Sequence, residues 1–207
     1  MAKSPLLLPP EAAPRRGMTT AVTAAILIGA LAVGVASAGS LLREHPPFGA
    51  VHVGPWRSHP AIGSADVDPY GRAILSRAPH FPVALGEGLQ FVAFIDGEGR
   101  GLDGACRYRL AGSTLPSRGW TLAVGDRDGR SLRSAASYLT DGDMVTGEDG
   151  RVSVQVAASA QGGAWLRLPG PGPFTLILRF YDTPVSATAA LLDPASLPAI
   201  ERVGCRR

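Results

Sequence analysis

The sequence predicts a mainly β protein, in which a single transmembrane helix precedes an exported antiparallel β-sandwich or jelly-roll-like domain with one short helix. Three observations support this fold class. Residues 19–42 form one uncharged, apolar run. Further along the chain, short segments alternate apolar and polar residues, as half-buried strands do. The 26 glycines and 18 prolines among 207 residues indicate many turns and little long helix.

The apolar run is long enough to cross a membrane as a helix. At about 1.5 Å per residue, residues 19–42 span about 36 Å, more than a hydrocarbon core of about 30 Å. Arg15 and Arg16 precede the run, whereas the charges that follow it, Arg43 and Glu44, cancel. The positive-inside rule therefore predicts a signal anchor with a cytoplasmic N-terminus and an exported remainder.

A cleaved signal peptide is the alternative interpretation of this segment. Ala36-Ser37-Ala38 is an A-x-A sequence after an apolar stretch, so cleavage after Ala38 would release the exported part. The apolar run is long for the apolar region of a signal peptide, which favours the anchor. With the anchor retained, the proline-rich residues 1–18 form a flexible cytoplasmic tail.

A Pro-rich linker and one helix are predicted between the membrane segment and the strands. Residues 43–65 are the linker, in which residues 48–53 can pair as a short strand. Residues 66–207 form the β-rich domain. At its start, Asp68 can cap a helix whose first position suits Pro69.

Five segments predict strands in the domain, because apolar residues alternate or cluster in them: residues 89–95, 107–110, 120–124, 152–156 and 174–180. Residues 96–99 and 126–129 have the Asp and Gly composition of turns. With no helix between the strands, antiparallel pairing is expected. On the last strand, Arg179 points away from the face of Phe174 and Leu178.

The two cysteines, Cys106 and Cys205, both lie in the exported part. Because free thiols are unusual in an oxidising compartment, we expect a disulfide between them. The alternative is a pair of thiols too far apart to bridge. The disulfide would tie the C-terminal end of the chain to a core strand.

Several short motifs, in this order and spacing, resemble a known family. They are Asp68-Pro69-Tyr70 with Arg72-Ala73, Gly119-Trp120-Thr121-Leu122 with Asp126-Arg127-Asp128-Gly129, Trp165-Leu166, and Leu178-Arg179-Phe180-Tyr181-Asp182-Thr183-Pro184. Over about residues 49–205 the chain resembles the domain of unknown function 1214, small bacterial members of which carry one N-terminal membrane segment. Gly125 departs from the pattern, since the family usually has a larger residue there.

The resemblance implies a location and a partner, but no activity. It implies a jelly-roll-like domain in the periplasm of a Gram-negative cell, anchored in the inner membrane. It also implies association with an envelope protein that carries the domain of unknown function 1254. It brings no catalytic residue and no cofactor to carry over.

The residues themselves indicate little catalytic chemistry. The net charge of +3 leaves only +1 from Arg43 onward, so no basic face for nucleic acid is expected. The four histidines form no metal-ligand pattern, and we expect no metal and no cofactor. Lys3 is the only lysine, which excludes an exported Ser-Lys dyad. Acids at Asp96, Glu98, Asp103 and Glu148 remain a conceivable pair for glycoside hydrolysis.

The most suggestive ligand-binding residues are Arg179, Tyr181, Trp120 and Trp165, since an Arg beside aromatic rings can clamp a carboxylate or stack on a sugar. The alternative is that the aromatic residues form the core and Arg179 pairs with Asp182 or Asp126. We therefore expect binding or assembly with another envelope protein. The alternatives are a periplasmic hydrolase of an envelope glycan or ester and a non-catalytic module that binds a small ligand.

Overall fold

The computed structural model describes residues 16–41, 49–77, 83, 86–126, 138–144, 147, 150–185 and 191–206. The chain divides into two units, Met1–Glu44 and His45–Arg207. The first unit contributes one described helix. The second contains all ten described strands and a second helix.

Helix α1 (Arg16–Leu41) contains the predicted apolar segment. Its stretch Thr19–Ser40 has a mean hydropathy of 2.2 and is not buried within the protein. The hydroxyls of Thr23, Ser37 and Ser40 donate to backbone carbonyls one turn earlier, at 2.8 to 3.0 Å. By length and composition this helix can cross a membrane, because it also satisfies its own polar groups.

The segment expected to be a linker contains two strands, and the first lies within residues 48–53, where a short strand is expected from the sequence. Strands β1 (Val51–Val53) and β2 (Trp56–Ser58) form a hairpin. Trp56 anchors it, since its ring is buried and its Nε1 donates to the carbonyl of Pro198 at 2.8 Å. A single large apolar side chain thus draws this proline-flanked segment onto the domain, which composition alone did not indicate.

Helix α2 (Pro69–Arg77) begins where the sequence predicts. Oδ1 of Asp68 accepts hydrogen bonds from the backbone N–H groups of Tyr70 at 2.9 Å and Gly71 at 3.1 Å. These bonds satisfy two of the N–H groups that a helix start leaves without partners.

Eight further strands complete the domain: β3 (Gly88–Ala93), β4 (Cys106–Gly112), β5 (Gly119–Gly125), β6 (Tyr138–Thr140), β7 (Val152–Ala157), β8 (Trp165–Arg167), β9 (Thr175–Tyr181) and β10 (Ala199–Cys205). All five predicted strands are present among them. The sequence did not predict β6, β8 and β10. The predicted turn at residues 96–99 is also present, whereas most of the predicted turn at 126–129 lies outside the described residues.

The strands form two sheets that pack as a sandwich. One sheet has six strands in the order β1-β2-β3-β9-β5-β6, and the other has four in the order β10-β4-β7-β8. Neighbouring strands are antiparallel except β7 and β8, which are parallel. The predicted fold class is therefore confirmed, with this one exception to the expected antiparallel pairing.

The core lies between the two sheets and follows the predicted alternation. On β9, Leu176, Leu178 and Phe180 face inward and are fully buried, and they meet Val152, Val154 and Val156 of β7 within one apolar cluster. Phe91 and Phe180 contact edge to face, with ring centroids 6.1 Å apart. Side chains on the other face of β9, including Arg179, consequently point away from this core.

The predicted disulfide is present between Cys106 and Cys205. The two cysteines lie directly opposite each other on β4 and β10. A bulge between Arg202 and Gly204 makes this possible. Without the extra residue, period-two alternation would turn Cys205 to the opposite face from Cys106.

Candidate functional site

The outward face of the six-stranded sheet carries two of the predicted ligand-binding residues. Register places Arg179 between Gln90 of β3 and Thr121 of β5, and Tyr181 lies two residues further along β9. Their side chains therefore share one face. Tyr181 is 39% exposed, and its hydroxyl lies 3.5 Å from Oγ1 of Thr121.

Arg179 is held by a neutral partner on the next strand. Its Nε donates to Oε1 of Gln90 at 2.8 Å. The alternative expectation was a pair with Asp182 or Asp126. Of these two acids, Asp182 pairs elsewhere, since its Oδ2 lies 3.0 Å from Nη2 of Arg118. Burial lowers the pKa of Arg179, while the neighbouring Tyr181 acts in the opposite direction.

The two tryptophans do not join Arg179 and Tyr181. Trp120 is opposite Phe180, faces inward and is only 8% exposed, so its ring belongs to the core. Trp165 lies in the other sheet, where its Nε1 donates to the carbonyl of Ala157 at 3.0 Å. The predicted four-residue surface is thus reduced to Arg179 and Tyr181, because strand alternation and sheet membership separate the tryptophans from them.

A small cleft adjoins this face beside β2 and β3. It has a volume of about 60 Å³ and is lined by residues that include Arg57, His59, Gln90 and Val92. Nη2 of Arg57 donates to Nε2 of His59 at 3.3 Å. Burial lowers the pKa of Arg57. The cleft therefore combines a partly desolvated cation with polar neighbours.

Sequence reasoning missed the cleft residues Arg57, His59 and Gln90. The available signal was the alternation in Trp56-Arg57-Ser58, which places Arg57 on the other face of the strand from the buried Trp56. Three residues flanked by prolines are too few for a period-two pattern to predict a strand.

A second polar cluster lies at one end of the sandwich, around Asp96. The Asp96 carboxylate is inaccessible to solvent. Oδ1 accepts from the backbone N–H groups of Glu98 at 3.0 Å and Arg100 at 2.9 Å. Oδ2 lies 3.1 Å from Nε of Arg100 and 2.9 Å from Nε of Arg202. Three hydrogen bonds and the ion pair with Arg202 thus compensate the buried charge.

The pKa of Asp96 reflects these contacts. Burial alone raises it, but the backbone hydrogen bonds and the Arg100 guanidinium outweigh burial, and the resulting pKa lies below the ordinary value. A buried carboxylate that already accepts this many hydrogen bonds is a structural anion. It is unsuited to proton transfer because it is ionised and closed to substrate.

Tyr108 and Asp103 extend this cluster. The guanidinium of Arg202 lies 5.4 Å from the centroid of the Tyr108 ring. The Tyr108 hydroxyl accepts from the backbone N–H of Asp103 at 2.9 Å. Oδ1 of Asp103 accepts from the backbone N–H groups of Ala105 and Gly172, and these bonds lower the pKa of Asp103. Asp103 therefore holds two loops together.

The acids considered for glycoside hydrolysis do not form an accessible pair among the described residues. Asp96 is buried, Glu98 contacts the same arginine, and Asp103 bonds to backbone. Glu148 lies outside the described residues. Likewise, within the described parts of the chain, no three His, Cys, Asp or Glu side chains cluster so as to hold a metal.

Among the comparisons with known proteins, one solved structure supports the fold. The chain is similar to the VPA0106 protein of Vibrio parahaemolyticus, with a TM-score of 0.53, 20% identity and 67% of this chain covered. It is also similar to an uncharacterised Burkholderia cenocepacia protein, with a TM-score of 0.40, 24% identity and 56% of this chain covered. The matches span only 36% and 29% of those two proteins. No curated protein matches the chain.

A family model matches part of the chain. Residues 87–185 match the model described as Protein of unknown function (DUF1214), a narrower range than the resemblance over residues 49–205 suggested. The matched range runs from just before β3 to just after β9, so it contains most of both sheets. Over residues 87–185, the chain is therefore similar to the family of unknown function DUF1214.

Proposed function

We propose that this chain is a membrane-anchored protein of a bacterial cell envelope, whose periplasmic β-sandwich serves binding or assembly with another envelope protein. The observation that carries the proposal is the combination of an apolar helix with a disulfide in the following domain. The helix provides the anchor. The disulfide requires an oxidising compartment on the side where the domain folds.

The charges around the helix support a cytoplasmic N-terminus. Arg15 and Arg16 precede the apolar stretch, which itself contains no charged residue. Cytoplasmic flanks of membrane helices carry an excess of Lys and Arg. This orientation places the β-sandwich outside the cytoplasm, where Cys106 and Cys205 would be oxidised.

The state of the acidic groups supports binding rather than catalysis. Asp96 is buried and Asp103 is partly buried, and both accept structural hydrogen bonds from backbone N–H groups. The cleft beside β2 holds about 60 Å³, which is small for a substrate-sized ligand.

The proposed partner is an envelope protein that carries the domain of unknown function 1254, on the basis of the family resemblance.

Reporter fusions test the topology. A periplasm-dependent reporter fused after residue 60 is expected to be active, and the same reporter fused after residue 10 is expected to be inactive. The reverse pattern, or equal activity at both positions, would contradict the anchor with its cytoplasmic N-terminus.

Photo-crosslinking tests the partner. Lysine-reactive reagents are unsuitable, since the only lysine is Lys3 in the N-terminal tail. A photoreactive amino acid at Tyr181 places the probe on the exposed face of the six-stranded sheet, and one at Arg109 places it on the exposed face of the other sheet. In native membranes, we expect a discrete adduct from at least one position, with the partner identified by mass spectrometry. The absence of any protein adduct from both positions would contradict an assembly role.

A further inference from the structure

We propose that the cleft beside β2 and β3 binds the oxyanion group, a phosphate or a carboxylate, of a small ligand, held by Arg57 and Gln90 with Arg179 behind them. This inference goes beyond the proposed envelope role, because it concerns a site within the domain and does not depend on the anchor or on a protein partner.

Register brings the three side chains to one face of three adjacent strands. Arg57 of β2 is opposite Val92 of β3, and Gln90 lies two residues before Val92. Gln90 is in turn opposite Arg179 of β9. Side chains that are opposite or diagonal across neighbouring strands lie within about 8 Å of one another. The sheet thus places Arg57 and Arg179 on either side of Gln90.

The hydrogen-bond directions make this arrangement a donor set. A guanidinium only donates, so the contact between Nε of Arg179 and Gln90 uses the amide oxygen of Gln90 as acceptor. The group that Gln90 can offer to a ligand is therefore its NH₂. Arg57 likewise donates to Nε2 of His59, so this nitrogen is the acceptor of the imidazole ring and is already engaged. A ligand at this cleft meets N–H donors, which match the oxygens of an anion.

Charge favours the same ligand class. None of the described residues that line the cleft is acidic. Partial burial lowers the pKa of both Arg57 and Arg179, which means that their charged forms have lost part of their hydration. An oxyanion restores favourable interactions to such partly dehydrated cations.

Size limits the bound group to a small one. A cleft of about 60 Å³ is far smaller than the roughly 300 Å³ at which pockets for whole small molecules begin, so it holds one small group of a ligand, such as a phosphate or a carboxylate. Pro60, Ile62 and Val92 supply an apolar wall beside the donors. The rest of the ligand would therefore extend into solvent.

Equilibrium dialysis of the full chain in an uncharged detergent tests the site. Labelled inorganic phosphate and, in a separate arm, labelled acetate are titrated at low ionic strength. We expect saturable binding of one equivalent in at least one arm, and the arm that binds distinguishes a phosphate ligand from a carboxylate ligand. The absence of saturable binding in both arms would overturn the proposal.

Two matched substitutions separate the site from general charge. Arg57→Gln is expected to weaken binding at least tenfold. Arg109→Gln removes the same charge from the other sheet, where Arg109 pairs with Glu201, and is expected to change binding less than twofold. Equal weakening in both variants would mean non-specific attraction and would overturn the site.

Gln90→Glu keeps the test decisive if Arg57→Gln fails to fold. A carboxylate at position 90 still accepts from Nε of Arg179, so we expect the urea midpoint of unfolding to be retained. The same carboxylate repels an anion and removes the NH₂ donor, so binding should be lost. A Gln90→Glu variant that binds as well as the wild type would contradict the proposal.

Discussion

At the scale of single residues, Asp96 shows how this domain accommodates a charge in its interior. The sequence places it in an ordinary Asp-Gly turn, where acids are usually solvated. In the structure it is 1% exposed and its two oxygens meet two backbone N–H groups and two arginines. An ion with these hydrogen bonds and ion pairs is stable when buried, but its removal leaves Arg202 without its counter-charge.

Replacement of Asp96 by Asn should therefore be costly. The amide is neutral and brings N–H donors toward groups that are themselves donors. We expect the free energy of unfolding in urea to fall by about 3 kcal/mol. Glu98→Gln is the control, since Glu98 is largely exposed where it contacts Arg100, and it should change stability by less than about 1 kcal/mol. Equal effects of the two substitutions would contradict a structural role for the buried carboxylate.

The pH dependence of stability follows from the same residues. The pKa values of Asp96 and Asp103 in the folded protein lie below the ordinary value, so the folded state binds fewer protons than the unfolded state in acid. Their contribution is fully present above the unfolded pKa of about 3.9 and is lost as the pH falls through the folded values. The free energy of unfolding should decline steadily below about pH 4. The slope of the free energy of unfolding against pH should be smaller in the Asp96→Asn variant below pH 4. An unchanged slope would show that Asp96 does not contribute to this pH dependence.

Alternation predicted the direction of side chains better than it predicted a site. The outward position of Arg179 follows from the buried face of Phe174 and Leu178, and the structure agrees. The same rule, applied with the register to β9, places Trp120 opposite Phe180 and therefore inside. That register is a long-range property of the folded sheet, so it was not available from the local sequence.

At the scale of elements, β10 illustrates why some strands escaped prediction. Its sequence, Ala-Ile-Glu-Arg-Val-Gly-Cys, does not alternate cleanly, because the bulge after Arg202 shifts the pattern by one residue. Before the bulge, Arg202 faces inward toward Tyr108 and Asp96. After it, Cys205 faces Cys106. A bulge depends on the pairing partner, so a period-two search over one segment cannot find it.

The other unpredicted strands are short. Strands β2, β6 and β8 have three residues each, which is less than the four to eight over which alternation can be recognised. The parallel pair of β7 and β8 was also unexpected, since parallel neighbours usually need a long crossover. Here Trp165 helps to hold β8 against β7 through its bond to the Ala157 carbonyl. These details come from tertiary contacts rather than from local propensity.

The disulfide should account for much of the attachment of β10, which is an edge strand of its sheet. Cys106 and Cys205 are 99 positions apart, and closing a loop of that length restricts the unfolded chain by about 4 to 5 kcal/mol. We expect a reductant to lower the free energy of unfolding by about 4 kcal/mol. The double variant Cys106→Ser with Cys205→Ser should show a similar loss and no further response to reductant. An unchanged stability after complete reduction would contradict this role.

At the scale of the whole molecule, the sequence predicted the fold class and the presence of an apolar helix because both depend on patterns repeated over many residues. The apolar run covers more than twenty consecutive positions, and the core strands repeat the same alternation. The candidate site depends on a few residues from separate segments, Arg57, Gln90 and Arg179, whose proximity exists only after the sheet has formed. A single sequence read locally therefore predicts architecture more readily than binding surfaces.

The proposed topology couples the helix to the redox state of the domain, and this coupling can be measured in cells. Deletion of residues 19–40 should leave the domain in the cytoplasm, where thiols are kept reduced, so a maleimide-polyethylene glycol reagent should add two labels at Cys106 and Cys205 without prior reduction. The full chain should add none until it is reduced. A variant with residues 19–40 reordered, of equal length and hydropathy, is the control and should remain unlabelled, because insertion depends on apolar length rather than on a particular order. If the deletion variant is fully oxidised, the disulfide does not depend on export by this helix, and the combination of anchor and disulfide no longer supports a periplasmic domain.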